Sequence, residues 1–242
     1  GLLGIWFSIF HSISAFCNGG FDILGLYSGP YSSLAAYQGD PLVLGTIMAL
    51  IVIGGLGFFV WEDVIQKRCW KKLTLYSKMV LGITACLIVF GAVYFACAEW
   101  ENPDTLGSMP LWQRPLNALF QSVTLRTAGY ATFDQGKLLE GSAVMSILLM
   151  LIGGSSGSTA GGLKTVTVGV LLLALRDGLR GRDQVVFRGR RIPGRKVLDA
   201  MTLALTVLLL FLSASMLLSL MERVPYVQAA FETASAMGTV GV

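Results

Sequence analysis

Four apolar runs of bilayer length set the architecture of this chain, at residues 42–61, 79–98, 141–175 and 197–221. At 1.5 Å per residue, the first run makes a helix of about 30 Å, the thickness of a membrane's hydrocarbon core. Hydrophobic residues make up 54% of the chain and charged residues only 13%, against about 25% in soluble proteins. The sequence therefore predicts a polytopic membrane protein and excludes a soluble domain.

Lysine and arginine are distributed unevenly between these runs. Residues 62–78 hold five of them and residues 176–196 hold eight, which together are thirteen of the eighteen in the chain. Residues 21–41 hold none, and residues 99–140 hold three. By the positive-inside rule, we expect the two basic loops in the cytoplasm and the other connections outside.

The third run is too long for one untilted span and too short for two. Its middle consists of ten small residues, which we define as the glycine-serine loop: Gly153, Gly154, Ser155, Ser156, Gly157, Ser158, Thr159, Ala160, Gly161 and Gly162. One interpretation is an unbroken helix that packs closely through its small residues. The other, which we favour, is a helix interrupted at membrane depth, whose backbone must be buried by protein or line a cavity.

A short segment occurs three times in the chain, with spacings of 110 and 111 residues. The copies begin at Phe10, Phe120 and Phe231, continue with mixed apolar and Ser/Thr residues, and contain a glycine near the end. About eleven helical residues reach only about 16 Å, so each copy is expected to enter the membrane and return. The predicted repeating unit is a span, a re-entrant half-helix, a glycine-containing extended segment and a second span.

The end of each copy has the properties of an ion filter. A half-helix that enters from outside points the negative end of its dipole into the membrane, where it favours a cation. Backbone carbonyls after it can replace an ion's hydration shell, and glycine allows a close approach. We define segment A as Asn18, Gly19 and Gly20, segment B as Thr127, Ala128 and Gly129, and segment C as Thr239, Val240 and Gly241. We predict that these segments bind a cation around one pore.

The three segments resemble the second, third and fourth filter segments of the Trk/Ktr/HKT potassium transporters, most closely those of the Ktr-type, TrkH-like membrane subunit. The glycine-serine loop, followed by Lys164, resembles the intramembrane gating loop of that family and stands in the same order. The resemblance covers the whole chain. The sequence departs from the family pattern at Gly19, where alanine is usual, and at Tyr130, where phenylalanine is usual.

The resemblance implies an all-α polytopic fold in which span, re-entrant half-helix, span pseudo-repeats surround an ion pore. It implies potassium uptake across the bacterial plasma membrane, gated by the glycine-serine loop, with no cofactor, K+ as the transported ion and Na+ as a candidate activator. The implied partners are membrane lipid, a second copy in a homodimer and a cytoplasmic nucleotide-binding regulatory subunit. Nucleic acid is not expected as a partner.

The same resemblance divides the chain into parts of three pore repeats. Residues 1–66 correspond to the second repeat, residues 67–175 to the third repeat with the broken helix, and residues 176–242 to the fourth repeat up to its filter. The first repeat and the last span have no counterpart. We therefore expect the chain to be a fragment whose transport function belongs to a longer protein.

Several polar residues keep more than one interpretation. Lys164 either snorkels toward the cytoplasmic surface or holds the loop closed through its charge. Arg126 either braces a filter segment or offsets charge in a vestibule. Glu232 is either an intramembrane functional carboxylate or a solvated vestibule residue. His11 has no neighbours in sequence that would complete a metal site, and the amide of Asn18 is a candidate brace for segment A.

Two other functions compete with ion permeation. A secondary transporter that binds an organic solute at a broken helix would explain residues 153–162 but not three glycine segments on one side. An enzyme is not expected, because the carboxylates are scattered and the chain has a single histidine. A phosphate-binding P-loop is excluded, because Leu163 stands between Gly162 and Lys164 and helices rather than a strand precede the motif.

Overall fold

A computed structural model describes residues 2–25, 29, 32–182 and 184–242 of the chain. The helices are α1 (Leu2–Phe16), α2 (Pro41–Leu56), α3 (Phe58–Lys67), α4 (Leu75–Ala98), α5 (Gln113–Thr124), α6 (Glu140–Leu151), α7 (Thr165–Leu179), α8 (Gly194–Glu222) and α9 (Tyr226–Gly238). A hairpin of β1 (Val186–Phe187) and β2 (Arg190–Arg191) connects α7 to α8. Single 3-10 turns lie at Ala35–Tyr37, Trp70–Lys72, Leu106–Ser108 and Gln135–Lys137. The predicted helical membrane fold is confirmed.

Two helices, α4 and α8, are each long and apolar enough to cross a bilayer alone, with 24 and 29 residues. Thr74 caps the start of α4, since its hydroxyl accepts a hydrogen bond from the backbone N–H of Ser77 at 3.2 Å. Only 22% of the apolar stretch of α4 and 11% of that of α8 is buried inside the structure. The remaining surface of both helices is apolar and suited to contact with lipid.

The first apolar run is bent, and the prediction that residues 42–61 form one straight span is wrong. Helices α2 and α3 meet at Gly57 with a bend of 97°. Gly57 has a φ of +80°, which glycine adopts readily and other residues resist. A Cβ at this position would lie 2.9 Å from Ser155 Oγ and 2.9 Å from the carbonyl carbon of Gly157. The bend therefore lies where the glycine-serine loop packs against the end of α2.

The third apolar run is interrupted in its middle, as predicted. Helix α6 ends at Leu151 and α7 begins at Thr165. The two ends of the interruption are held together, because Gly153 N donates to the Leu163 carbonyl at 2.9 Å and Leu163 N donates to the Leu151 carbonyl at 2.9 Å. The alternative of an unbroken, closely packed helix is wrong.

Three short helices, α1, α5 and α9, end directly before segments A, B and C. They contain 15, 12 and 13 residues. At 1.5 Å per residue their lengths are about 18 to 22 Å, well below a bilayer core of about 30 Å. Helix α1 packs on α2, α5 packs between α4 and α2, and α9 packs on α6 and α8. Each short helix therefore packs against at least one neighbouring helix.

Glu99, at the end of α4, fixes the connection between α4 and α6. Its carboxylate is fully buried and accepts hydrogen bonds from Asn102 Nδ2 at 2.6 Å, Thr105 Oγ1 at 2.7 Å and Leu139 N at 3.1 Å. Leu139 immediately precedes α6, so this carboxylate also caps the start of that helix. All three of these partners are hydrogen-bond donors, which is what the oxygens of a buried carboxylate require.

Candidate ion filter and glycine-serine loop

Segments A, B and C lie side by side in the order of the chain. A Cβ on Gly20 of segment A would overlap the Ala128 carbonyl oxygen and lie 3.0 Å from the Gly129 Cα of segment B. A Cβ on Gly129 would in turn overlap the Val240 carbonyl oxygen of segment C. A Cβ on Gly241 would meet no heavy atom within 4 Å among the described residues. Segment A therefore contacts segment B, and segment B contacts segment C, whereas no described residue lies against Gly241 at this position.

The first and third residues of each segment have a positive φ, and the residue between them does not. The first residues, Asn18, Thr127 and Thr239, have φ values of +52°, +78° and +55°. The glycines at the third positions have φ values of +67°, +85° and +82°, while the residue between has a negative φ. Positive φ is rare for a β-branched residue, and such strain is characteristic of functional sites.

The amide N–H groups of the segments are turned toward the short helices. In each repeat, the amide of the middle residue donates to a carbonyl in the last turn of the helix before it, at 2.9, 2.9 and 2.8 Å in segments A, B and C. The same helix residue carries a hydroxyl that donates to the carbonyl directly after the segment. These hydroxyl pairs are Ser14 with Phe21 at 2.9 Å, Thr124 with Tyr130 at 2.7 Å, and Ser235 with Val242 at 3.2 Å.

The carbonyl oxygens of the segments, unlike the middle-residue amides, lack hydrogen-bond partners among the described residues. No donor among the described residues makes a hydrogen bond to any of the nine carbonyl oxygens of segments A, B and C. Because buried backbone carbonyls need a partner, these oxygens require water or a cation. Segment B is the most buried of the three, since Thr127 and Ala128 are fully buried, whereas Thr239 and Gly241 of segment C are exposed. Backbone carbonyls without protein donors are able to replace the water around an ion.

The glycine-serine loop donates hydrogen bonds to the carbonyls at the end of α2 that have no partner within the helix. A helix end leaves its last four carbonyls unsatisfied. The Gly54 carbonyl accepts from Thr159 N at 3.4 Å, and the Gly55 carbonyl accepts from Ser155 N at 3.0 Å. The Leu56 carbonyl accepts from the Ser155 hydroxyl. The loop thus replaces the turn of helix that the bend at Gly57 removes.

The carbonyls of the glycine-serine loop in turn accept hydrogen bonds from α3 and α4. Phe58 N, the first amide of α3, donates to the Gly157 carbonyl of the loop at 3.2 Å. The Tyr76 hydroxyl, at the start of α4, donates to the Ser156 carbonyl at 3.1 Å. These contacts satisfy backbone groups that would otherwise be costly at membrane depth.

The same loop contacts the end of each short helix. Thr159 Oγ1 donates to the carbonyl of Phe16, the last residue of α1, at 3.1 Å. Arg126, directly before segment B, donates through Nη2 to the Gly153 carbonyl at 3.1 Å. A Cβ on Gly161 would lie 2.7 Å from the Gly238 carbonyl oxygen, at the end of α9. The loop therefore touches all three repeats on the side where the short helices end.

The charged candidates occupy distinct environments. Arg126 is only 8% exposed, and both of its predicted roles stay predictions. Lys164 Nζ donates to the Ala160 carbonyl at 2.8 Å and so turns back onto the loop. Glu232 is exposed. His11 is buried, with Nδ1 at 2.7 Å from the Phe7 carbonyl. The Asn18 carboxamide lies 3.4 Å from Thr127 Oγ1, between segments A and B.

Sequence reasoning missed two features of this site. The hydroxyls of Ser14, Thr124 and Ser235 follow the same 110 and 111 spacings as the repeat, so the spacing carried a signal for them. The bend at Gly57 had only the weak signal of a glycine cluster near the end of an apolar run. Its partners lie about 100 residues further along the chain, and no local pattern reports them.

Comparison with known proteins identifies the family. The model of the family TrkH, described as "Cation transport protein", matches residues 1–242. The potassium/sodium uptake protein NtpJ of Enterococcus hirae is 43% identical over 99% of this chain and 52% of its own length. The Ktr system potassium uptake protein B of Bacillus subtilis is 37% identical over 99% of this chain and 52% of its own length.

A solved structure shares the fold. The crystal structure of the potassium transporter TrkH from Vibrio parahaemolyticus matches with a TM-score of 0.68 and 20% identity, over 95% of this chain and 50% of that one. This chain thus spans about half the length of the relatives it matches. The relatives are membrane transporters rather than enzymes, and the long apolar helices here are those of a multi-pass plasma-membrane protein. The chain belongs to the TrkH family of cation transport proteins.

Proposed function

We propose that the complete protein, of which this chain is a part, takes up potassium through a carbonyl-lined filter to which segments A, B and C contribute. The observation that carries this proposal is the set of nine carbonyl oxygens that receive no hydrogen bond from the described residues, beside middle-residue amides that all donate to the preceding helix. A cation that sheds its water needs such oxygens. The names of two relatives, potassium/sodium uptake and potassium uptake proteins, support potassium as the ion.

The open edge beside Gly241 supports a filter completed by a further segment outside this chain. Segments A, B and C contact one another in order, and a Cβ on Gly241 would meet no heavy atom of the described residues within 4 Å. A fourth segment placed there would close a ring of carbonyls. Uptake would then be driven by the membrane potential, which contributes about 2.3 kcal/mol per charge per 100 mV.

The glycine-serine loop, followed by Lys164, is proposed as the gate of this pore. It contacts the end of each short helix, and its backbone depends on the bend at Gly57 for partners. Within the same proposal, the complete protein forms a homodimer in the bacterial plasma membrane and binds a cytoplasmic nucleotide-binding regulatory subunit, with Na+ as an activator. The exposed arginines of residues 176–196 support a cytoplasmic contact surface.

An organic solute is a weaker candidate for the cargo. The cavity beside the loop, lined in part by Gly55, Arg126 and Gly154, has a volume of about 10 Å³. Pockets that hold drug-sized molecules measure about 300 to 1,000 Å³. This small volume favours a monatomic ion.

The decisive experiment is rubidium and potassium uptake by the full-length protein in bacterial cells that lack their own potassium uptake systems. We expect uptake and growth at low potassium to be restored. Deletion of residues 155–161 is expected to raise the flux measured without the regulatory subunit, while Gly45→Ala, a substitution into open space on α2, leaves it unchanged. Absence of uptake by protein present in the membrane would contradict the filter, and an unchanged flux after the deletion would contradict the gate.

A further inference from the structure

Arg126 is a buried cation that forms no ion pair with a carboxylate of the described residues. It directly precedes segment B and is 8% exposed. None of the ion pairs formed by the described residues includes it. A buried charge is costly unless hydrogen bonds stabilise it, and ionisable groups at membrane depth are characteristic of functional sites. Because Arg126 is adjacent to Thr127, the acceptors that hold its guanidinium are linked to the backbone of segment B.

Those acceptors lie at the two ends of the interruption between α6 and α7. Arg126 Nη2 donates to the Gly153 carbonyl at 3.1 Å and lies 3.4 Å from Thr165 Oγ1. The Thr165 hydroxyl itself donates to the Gly153 carbonyl at 3.0 Å. Gly153 begins the loop, and Thr165 begins α7 after it. One guanidinium nitrogen thus joins the segment B region to both ends of the interruption.

The guanidinium has no other side-chain hydrogen bonds within the described part of the chain. Its Nε is buried without a partner there. Movement of the loop would withdraw the acceptors of Arg126 and leave its charge unsatisfied beside segment B. The next residue, Thr127, has a strained φ of +78°, which persists only while its surroundings hold it.

We propose that Arg126 is a positioning residue that couples segment B to the glycine-serine loop, so that the position of the loop sets ion selectivity at segment B. This inference rests on the proposed filter and adds a link between it and the loop. Selectivity then depends on residues such as Thr165 that lie outside the filter. A loop that acted only as a plug would change the flux and leave selectivity unchanged.

The test is a double-mutant cycle on the full-length protein, with the potassium-to-sodium permeability ratio measured in proteoliposomes. The variants are Arg126→Gln, Thr165→Val and the two combined. Arg126→Gln is expected to lower the ratio by about tenfold, as expected for loss of a charged hydrogen bond. Thr165→Val should lower the ratio in the same direction, and the double variant should resemble Arg126→Gln alone, because residues in one network are not additive.

Arg114→Lys is the matched control. Arg114 also donates to backbone carbonyls, those of Met109 at 3.0 Å, Trp100 at 2.9 Å and Gly107 at 2.8 Å, but in the connection between α4 and α5. Its substitution should leave the permeability ratio unchanged. Should Arg126→Gln fail to reach the membrane, the same cycle is run with Arg126→Lys, which changes the geometry of the donor and keeps its charge.

An unchanged ratio in Thr165→Val, or additive effects of the two substitutions, would overturn the coupling. The proposed function fails separately, through absence of cation flux in the unsubstituted protein. If deletion of residues 155–161 left the flux unchanged while the cycle remained non-additive, the gate would be refuted and the coupling supported.

Discussion

The carbonyl oxygen of Val240 occupies the space that a Cβ on Gly129 would need, so the backbones of segments B and C are in direct contact. Gly129 also has a φ of +85°, which costs other residues about 1 to 3 kcal/mol. Gly129→Ala in the full-length protein should therefore displace both segments. We expect the potassium-to-sodium permeability ratio to fall by about tenfold or more, measured by ion flux in proteoliposomes.

Gly82→Ala is the control for this substitution. Gly82 lies in the middle of α4, where a Cβ would meet nothing within 4 Å among the described residues. Alanine there should leave selectivity intact and slightly favour the helix. Retained selectivity in Gly129→Ala would show that segment B does not line the ion path.

The Thr124 hydroxyl is expected to hold the end of segment B in place. It is fully buried and donates to the Tyr130 carbonyl at 2.7 Å. Thr124→Val keeps the volume of the side chain but leaves that carbonyl without its donor, which should lower the free energy of unfolding by about 1 to 3 kcal/mol. Thr124→Ser retains the hydroxyl and should restore most of this loss. Thermal unfolding in detergent measures both, and equal melting temperatures for Val and Ser would contradict the role of the hydroxyl.

Gly57→Ala should release the glycine-serine loop. A Cβ at this position would press on Ser155 and Gly157, and the φ of +80° adds backbone strain. We expect a loss of about 1 to 3 kcal/mol in the loop contacts and a rise in basal rubidium flux of the full-length protein. Gly45→Ala, on the straight part of α2, should change neither. A flux that stayed at the unsubstituted level would indicate that the bend does not hold the loop.

Asp177 should anchor the hairpin between α7 and α8. Its buried carboxylate accepts from Arg176 Nε at 3.1 Å and from Val186 N at 3.0 Å. The hydrogen bonds from Arg176 and then Val186 hold the pKa of Asp177 below its ordinary value. A carboxyl group whose pKa is lowered by folding adds stability above its unfolded pKa, so the anchor should be complete at neutral pH and lost as pH falls through the lowered value.

Limited trypsin digestion of the membrane-embedded protein tests this anchor at neutral pH. Asp177→Asn should increase cleavage within residues 184–193, because the amide cannot pair with the guanidinium of Arg176. Asp199→Asn, on an exposed position of α8, serves as the control and should leave cleavage unchanged. Equal cleavage in both variants would contradict the anchoring role.

The fold could be predicted where the signal was local or periodic. The spacing of Phe10, Phe120 and Phe231 predicted three related segments, and α1, α5 and α9 do end directly before segments A, B and C. The glycines of residues 153–162 predicted the broken helix, because five helix-breaking residues stand in a short stretch. The division into repeats at residues 66 and 175, and the roles of the individual segment residues, stay predictions.

Other features could not be predicted, because they depend on contacts between distant parts of the chain. The bend at Gly57 lies in a run whose hydropathy is continuous, and its cause is the loop that packs there. The sequence left Arg126 between two roles, since neither its burial nor the Gly153 carbonyl is visible from its neighbours. Glu99 gave no signal at all, because its partners only converge once α4 and α6 have packed.

The bend between α2 and α3 and the interruption between α6 and α7 supply each other's missing backbone hydrogen bonds. The two features should therefore evolve together. The end of α2 offers the carbonyls of Gly54 and Gly55 to the loop, and the loop offers the Gly157 carbonyl to Phe58. A mutation that straightened either helix alone would leave backbone N–H and C=O groups of the other without hydrogen-bond partners inside the membrane. Over generations, both interruptions should therefore be inherited as a pair, and a descendant that has repaired one should have repaired both.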